Sequence, residues 1–133
     1  MAHTTRDLRN LALVGHAGSG KTTLTEALLY AAGALRVRGS IARGTTASDF
    51  DPQEKRLRHS LDATLLACEA RGKRLQLVDT PGLADFVGRS LPALEAVESA
   101  VVVVSAVNGV EPATRQMMAY AQERGLARFV VIN

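Results

Sequence analysis

Gly15-His16-Ala17-Gly18-Ser19-Gly20-Lys21-Thr22 meets every fixed position of the pattern G-x-x-x-x-G-K-[ST]. The residues before it, Leu11-Ala12-Leu13-Val14, read as a short buried strand, and those after it, Lys21 to Ala32, read as a helix. Strand, glycine-rich turn and helix start are the context this pattern requires. Gly15, Gly18 and Gly20 let the backbone close round an anion with φ values that a Cβ forbids. Successive N–H groups then face a β-phosphate, and the helix start adds its positive end. Lys21 brings a full charge to the β- and γ-phosphates. The Thr22 hydroxyl is an oxygen ligand for Mg²⁺, a hard ion that keeps several waters.

On either side of this stretch the pattern is regular. The first strand covers Arg9 to Val14. The helix Lys21–Ala32 carries Leu24, Leu28 and Ala31 on one face, with Ala27 beside them, and Gly33 is its left-handed stop. From Ala34 to His59 no period survives. Gly39, Gly44, Thr45, Thr46 and Ser48 interrupt it, and Arg36, Arg38, Arg43, Lys55, Arg56 and Arg58 crowd the same stretch. A loop of this length beside a phosphate site suits a segment that orders around a γ-phosphate. Leu61 to Ala70 fits a strand or a short helix. Arg71-Gly72-Lys73 favours a hairpin turn into a second strand, Arg74 to Val78.

That strand leads into Asp79-Thr80-Pro81-Gly82. An acid at the end of a buried strand is costly unless it has a task. Beside a phosphate loop the task is to hold Mg²⁺ through a water, while Gly82 offers a bare N–H to a γ-phosphate. Taken alone, D-T-P-G is only a turn. A helix is expected over Leu91 to Ser99 with Pro92 in its first turn. The run Ala100-Val101-Val102-Val103-Val104 suits a strand covered on both faces, as in a parallel sheet. Pro112 to Arg124 reads as another helix stopped by Gly125, and Arg128 to Ile132 as a last strand.

Composition sets the outer limits. The chain has 133 residues, room for one domain with a real core, and its hydrophobic content is 47%. Aromatics are only 4%, so the core must be built from Val, Leu and Ala. No apolar run reaches the length of a membrane span, and Met1 to Asn10 holds no signal-peptide core. The single cysteine, Cys68, excludes an internal disulfide and makes a cytoplasmic protein the natural inference. A net charge of +3 permits an RNA-rich partner without demanding one, since a solvated basic loop explains it equally. The strand at the C-terminus, ending on a polar residue, leads us to expect an N-terminal fragment of a longer multidomain protein, with residues 1–133 forming a C-terminally truncated nucleotide-binding domain.

Assembled, the chain resembles the nucleotide-binding domain of translational GTPases, most closely the elongation factor G family. The likeness runs from Arg9 to Asn133 and rests on four stretches in order. They are Gly15 to Thr22 with Thr23, the segment Asp49-Phe50-Asp51-Pro52-Gln53-Glu54, the run Val78 to Gly82 with Asp85-Phe86, and Asn108-Gly109-Val110-Glu111-Pro112. Val131-Ile132-Asn133 looks like the start of the guanine-reading N-K-x-D signature. The resemblance implies an α/β fold, the P-loop NTPase three-layer sandwich, with a mostly parallel sheet and one antiparallel hairpin strand. It implies GTP or GDP and Mg²⁺ as ligands, a monomer, and the ribosome, through rRNA and protein, as partner. No membrane or DNA partner is implied.

The site it implies comprises Gly15, His16, Ala17, Gly18, Ser19, Gly20, Lys21, Thr22, Thr23, Gly82 and Asn133 at the nucleotide, with Thr22, Ser60 and Asp79 at the metal. His16 is expected to direct its side chain away from the phosphates. Three departures stand out. Leu83 occupies the position where the family has a His that orients the attacking water, so no catalytic residue is assigned beyond Gly82 and Leu83 at that place. Ser60 replaces the Thr of the family's R-G-I-T, and Gly18 stands where many relatives have Asp. These departures resemble the divergent elongation factor G-like branch. They lead us to expect slow hydrolysis, while the Lys and Asp of N-K-x-D, which would lie past Asn133, lead us to expect weak nucleotide binding without strong base preference by the isolated chain. His59 is a candidate stand-in for the missing His, and Asp85 and Phe86 are expected to shape the second switch. The alternatives are a GTP-dependent binding switch with negligible hydrolysis and a non-translational P-loop ATPase.

Overall fold

The computed structural model describes residues 3–48, 51–57, 60–83 and 87–133. Five strands form one sheet: β1 Leu8–Val14, β2 Thr64–Ala70, β3 Lys73–Asp79, β4 Ser99–Val104 and β5 Ala127–Ile132. Their order is β2-β3-β1-β4-β5, and only the β2–β3 pair is antiparallel. The helices are α1 Lys21–Ala31, α2 Pro52–Leu57, α3 Val87–Glu95 and α4 Pro112–Glu123.

Alternation along the central strands builds two cores. Ala12, Val14, Ala100, Val102 and Val104 face one way and pack with Ala93 and Leu94 of α3 and Met117 and Ala121 of α4. Leu13, Leu77, Val101 and Val103 face the other way and pack with Leu29 of α1. The sheet is thus covered on both faces, which makes the three layers expected and explains why β4 is an unbroken apolar run. The hairpin is also as read. Arg71 and Gly72 take φ of 50° and 72°, and two positive φ values in a two-residue loop match the twist of the flanking strands. At the far edge, β5 leaves Phe129, Val130 and Ile132 more than half exposed.

Four expectations are corrected. The buried face of α1 is Thr22, Thr25, Glu26 and Leu29, whereas Leu28 is exposed. Apolar spacing alone does not show that the phosphate loop rotates Lys21 and Thr22 inward and drags this stripe with them. Second, the loop Ala34–His59 holds a 3-10 turn, Ile41–Arg43, and the helix α2. Its start is a local signal: Asp51 Oδ1 accepts the Gln53 N–H at 2.7 Å and Pro52 takes the first helical position. Third, α3 begins at Val87 and contains Pro92 in its interior. The donor lost there would serve the carbonyl of Gly88, in the first turn. Fourth, Ser99 belongs to β4, not to the preceding helix. Glu98 ends that connection by accepting both the Asn10 N–H at 2.7 Å and its side-chain amide at 3.0 Å. Asp49, Phe50, Arg58, His59, Asp85 and Phe86 lie outside the described residues. Among the described residues no helix is long and apolar enough to cross a membrane.

Candidate nucleotide-binding site

Sheet register creates the site. β1 and β3 run parallel, with Leu13 beside Asp79, so the loop after β1 and the turn after β3 emerge from the same edge of the sheet. Thr80 Oγ1 donates to the Leu13 carbonyl at 2.6 Å and fastens the two ends. β4 flanks β1 on the other side, so the chain reverses its direction of progress across the sheet at β1. Ligands of open α/β sheets bind at such a place.

A cavity of about 170 Å³ opens here, lined by Ala17, Gly18, Gly20, Lys21, Thr22 and Thr23 from the loop and α1. Its opposite wall is Ile41, Ser60, Thr80, Gly82 and Leu83. This is smaller than the several hundred Å³ of a typical whole-ligand pocket. It suits the phosphate and metal end of a nucleotide.

Lys21 is 6% exposed, and its Nζ donates to the Gly15 carbonyl at 3.0 Å and the His16 carbonyl at 2.9 Å. Burial lowers its pKa to about 8, and the nearby Asp79 carboxylate offsets part of that fall. Thr22 Oγ1 donates to Asp79 Oδ2 at 2.7 Å and stands 3.5 Å from Ser60 Oγ. Two hydroxyls and a carboxylate therefore converge, all of them oxygen donors. That set fits Mg²⁺, which takes one or two protein carboxylates or hydroxyls together with water and phosphate oxygens. Among the described residues no group of three or more His, Cys, Asp or Glu side chains could hold a metal.

Gly82 makes a close approach to the phosphate loop. A Cβ there would lie 2.3 Å from Lys21 Nζ and 2.7 Å from both Ala17 N and the His16 carbonyl carbon. Only a bare Cα lets the D-T-P-G turn rest on the phosphate loop. Leu83 follows it on the cavity wall.

The other sequence candidates sit behind the loop. The His16 ring is buried, with Nδ1 3.3 Å from Thr114 Oγ1 and Nε2 3.5 Å from Glu111 Oε1, so it turns toward the start of α4. The His16 N–H also donates to Thr114 Oγ1, at 3.2 Å. Asn133 Nδ2 donates to the Ser19 carbonyl at 3.1 Å and braces the loop from beneath. Gly15 and Ser19 shape the loop without lining the cavity. Sequence reading missed Ile41, which no local signal marks. It also missed two buried carboxylates. Glu26 accepts the Gly39 N–H at 2.8 Å and the Ala47 N–H at 2.5 Å. Glu54 accepts from the segment that follows α2, and the D-P-x-E start of that helix could have flagged it.

Comparison with known proteins agrees with this geometry. The family described as "Elongation factor Tu GTP binding domain" matches residues 6–133. "Elongation factor G 2" of Streptomyces coelicolor is 39% identical over 126 residues, which is 95% of this chain and 18% of that protein. An "Elongation factor G-like protein" of Mycobacterium tuberculosis is 43% identical over the same shares. This chain therefore spans under a fifth of the length of either relative. A crystal structure from Thermus thermophilus superposes with a TM-score of 0.90 at 48% identity, covering 93% of this chain and 19% of that one. Translation elongation factor SelB of Methanococcus maripaludis, solved with the GTP analogue GPPNHP, gives 0.71 at 25% identity over 98% of this chain and 23% of its own. The match argues against a non-translational ATPase. Parallel strands, a phosphate loop, a D-T-P-G turn packed on it and these relatives lead to one conclusion: the chain belongs to the elongation factor Tu GTP-binding domain family, the nucleotide-binding domain of translational GTPases.

Proposed function

We propose that this chain is the GTP-binding domain of an elongation factor G-like protein that hydrolyses GTP to GDP slowly and acts as a ribosome-linked switch. The observation that carries this reading is the convergence of Lys21, Thr22, Ser60 and Gly82 on one cavity that Leu83 also lines, with Asp79 bonded to Thr22 behind it. Lys21 neutralises β- and γ-phosphate oxygens. The Gly18–Thr22 backbone directs N–H groups at the same anion, and the Gly82 N–H meets the γ-phosphate. Thr22 and Ser60 offer hydroxyls, and Asp79 a carboxylate, to Mg²⁺. When bound, the ion neutralises charge that develops on the phosphoryl oxygens during in-line attack by water. Leu83 has no hydrogen-bonding atom and leaves that water poorly oriented.

Titration of the full-length protein with GTP and ATP in Mg²⁺ tests the binding reading, and tight, GTP-selective binding is expected. Equal affinities, or none, would sink it. Single-turnover hydrolysis tests the rest. Leu83→His is expected to raise the rate by about tenfold or more, since a positioned imidazole contributes ~10²–10⁴ in proton-transfer catalysis. An unchanged rate with intact binding means that the site works otherwise. Leu83 also supports a second reading, a GTP-dependent binding switch with negligible hydrolysis. Comparing turnover with and without ribosomes separates the two.

A further inference from the structure

Glu54 is the third residue of α2, where a glutamate ordinarily lies on the surface and returns a hydrogen bond to the helix cap. Here it is 4% exposed, and its contacts are weighted differently. The bond back to the Asp51 N–H, from Oε2, is long at 3.4 Å. The short one runs forward: Oε1 accepts the Leu61 N–H at 2.9 Å, and the Asp62 N–H lies 3.4 Å from the same oxygen. A carboxylate this buried is tolerated only when several donors serve it. Most of its bonding capacity goes to the two peptides that directly follow Ser60. Ser60 Oγ in turn stands 3.5 Å from Thr22 Oγ1, at the oxygen cluster that includes Asp79.

We propose that Glu54 is a positioning residue for Ser60. By fixing the Leu61 peptide, it sets where the Ser60 hydroxyl stands beside Thr22, and so tunes Mg²⁺ affinity in the nucleotide complex. The inference rests on the reading that this cavity takes Mg²⁺ and GTP. Glu26 acts on a different part of the same connection, the peptides of Gly39 and Ala47, and does not hold Ser60. An ordinary capping glutamate would affect folding without singling out the metal.

The test uses the full-length protein, with GTP affinity measured across a Mg²⁺ titration and again in excess chelator. Glu54→Ala is expected to raise the Mg²⁺ concentration for half-maximal effect about tenfold, the lower end of losses seen when partners of metal ligands are removed. Affinity in chelator should stay within about twofold. Glu54→Gln keeps one acceptor oxygen for the Leu61 amide and should recover most of the wild-type Mg²⁺ dependence. Amide hydrogen exchange at Leu61 and Asp62 should quicken in Glu54→Ala and not in Glu54→Gln. Should Glu54→Ala fail to fold, a cycle of Glu54→Gln with Ser60→Ala decides: once Ser60 is removed, the glutamine change should shift Mg²⁺ dependence no further. An additive shift, an unchanged Mg²⁺ midpoint, or an equal loss of affinity with and without Mg²⁺ overturns the proposal. If wild type itself shows no Mg²⁺-dependent GTP binding, the cavity reading falls, and the inference with it.

Discussion

Lys21→Met should weaken GTP binding by about 100-fold or more, because two charge-assisted hydrogen bonds to phosphate oxygens are lost at ~1.5 kcal/mol or more each. Methionine fills a similar volume, so packing is largely kept. The wild-type protein should show the same dependence through pH. With its pKa lowered to about 8, Lys21 begins to lose its proton just above neutrality. Only the charged form binds phosphate well, so affinity should fall toward tenfold per pH unit above pH 8.

Stability moves the other way. The unfolded chain keeps Lys21 at its ordinary value of 10.5 while the folded chain titrates near 8. Between these values the unfolded state holds more protons, so unfolding free energy rises with pH, by at most about 3 kcal/mol. Below pH 8 both states are protonated and this contribution is flat. Denaturant unfolding of nucleotide-free wild type and Lys21→Met, at about pH 7.5 and about pH 10, isolates it. A wild-type-minus-variant difference that does not grow with pH would show that Lys21 is not held as a buried cation.

Gly15→Ala is expected to cost stability on the order of 3 kcal/mol or more. Gly15 has φ of +144°, and a Cβ there would lie 2.3 Å from the backbone carbonyl oxygen of Val103. That oxygen belongs to β4, a central strand, and has no flexible side chain to yield. Backbone strain and a rigid clash therefore add. Gly18→Ala separates the two. Its φ is +79°, yet nothing lies within 4 Å of the added carbon, so only strain remains, about 1 kcal/mol. Comparable unfolding midpoints for the two variants would refute the steric part of the argument.

Much of the candidate site is legible in the sequence because its residues are near neighbours. Lys21 and Thr22 follow a glycine loop at fixed spacing, and Asp79 ends an apolar strand just before a Pro-Gly turn. The unbroken run Ala100–Val104 announced a strand buried on both faces, and Arg71-Gly72 announced the hairpin. The helix α2 was also written locally, in Asp51, Pro52 and Glu54, but it was masked by the charged, glycine-broken stretch around it. Pro92 misled for a related reason: position in a helix depends on where the chain enters it, and that is set by the preceding turn.

Other features arise only when distant parts of the chain pack together. Parallel pairing of β1 with β3 brings Asp79 and Thr22 to 2.7 Å across 57 positions of sequence. The same sheet order sets Asn133 under Ser19, and α4 beside β4 sets Thr114 against His16. Nothing in the sequence marks Glu26 or Glu54 as buried. They are buried where the amides of Gly39, Ala47 and Leu61, all between α1 and β2, come to bond them. Residue type and short spacing are enough to fix which groups can meet a phosphate and a hard cation, and both are properties of the bare chain. How those groups are held depends on long-range register, which exists only in the folded sheet.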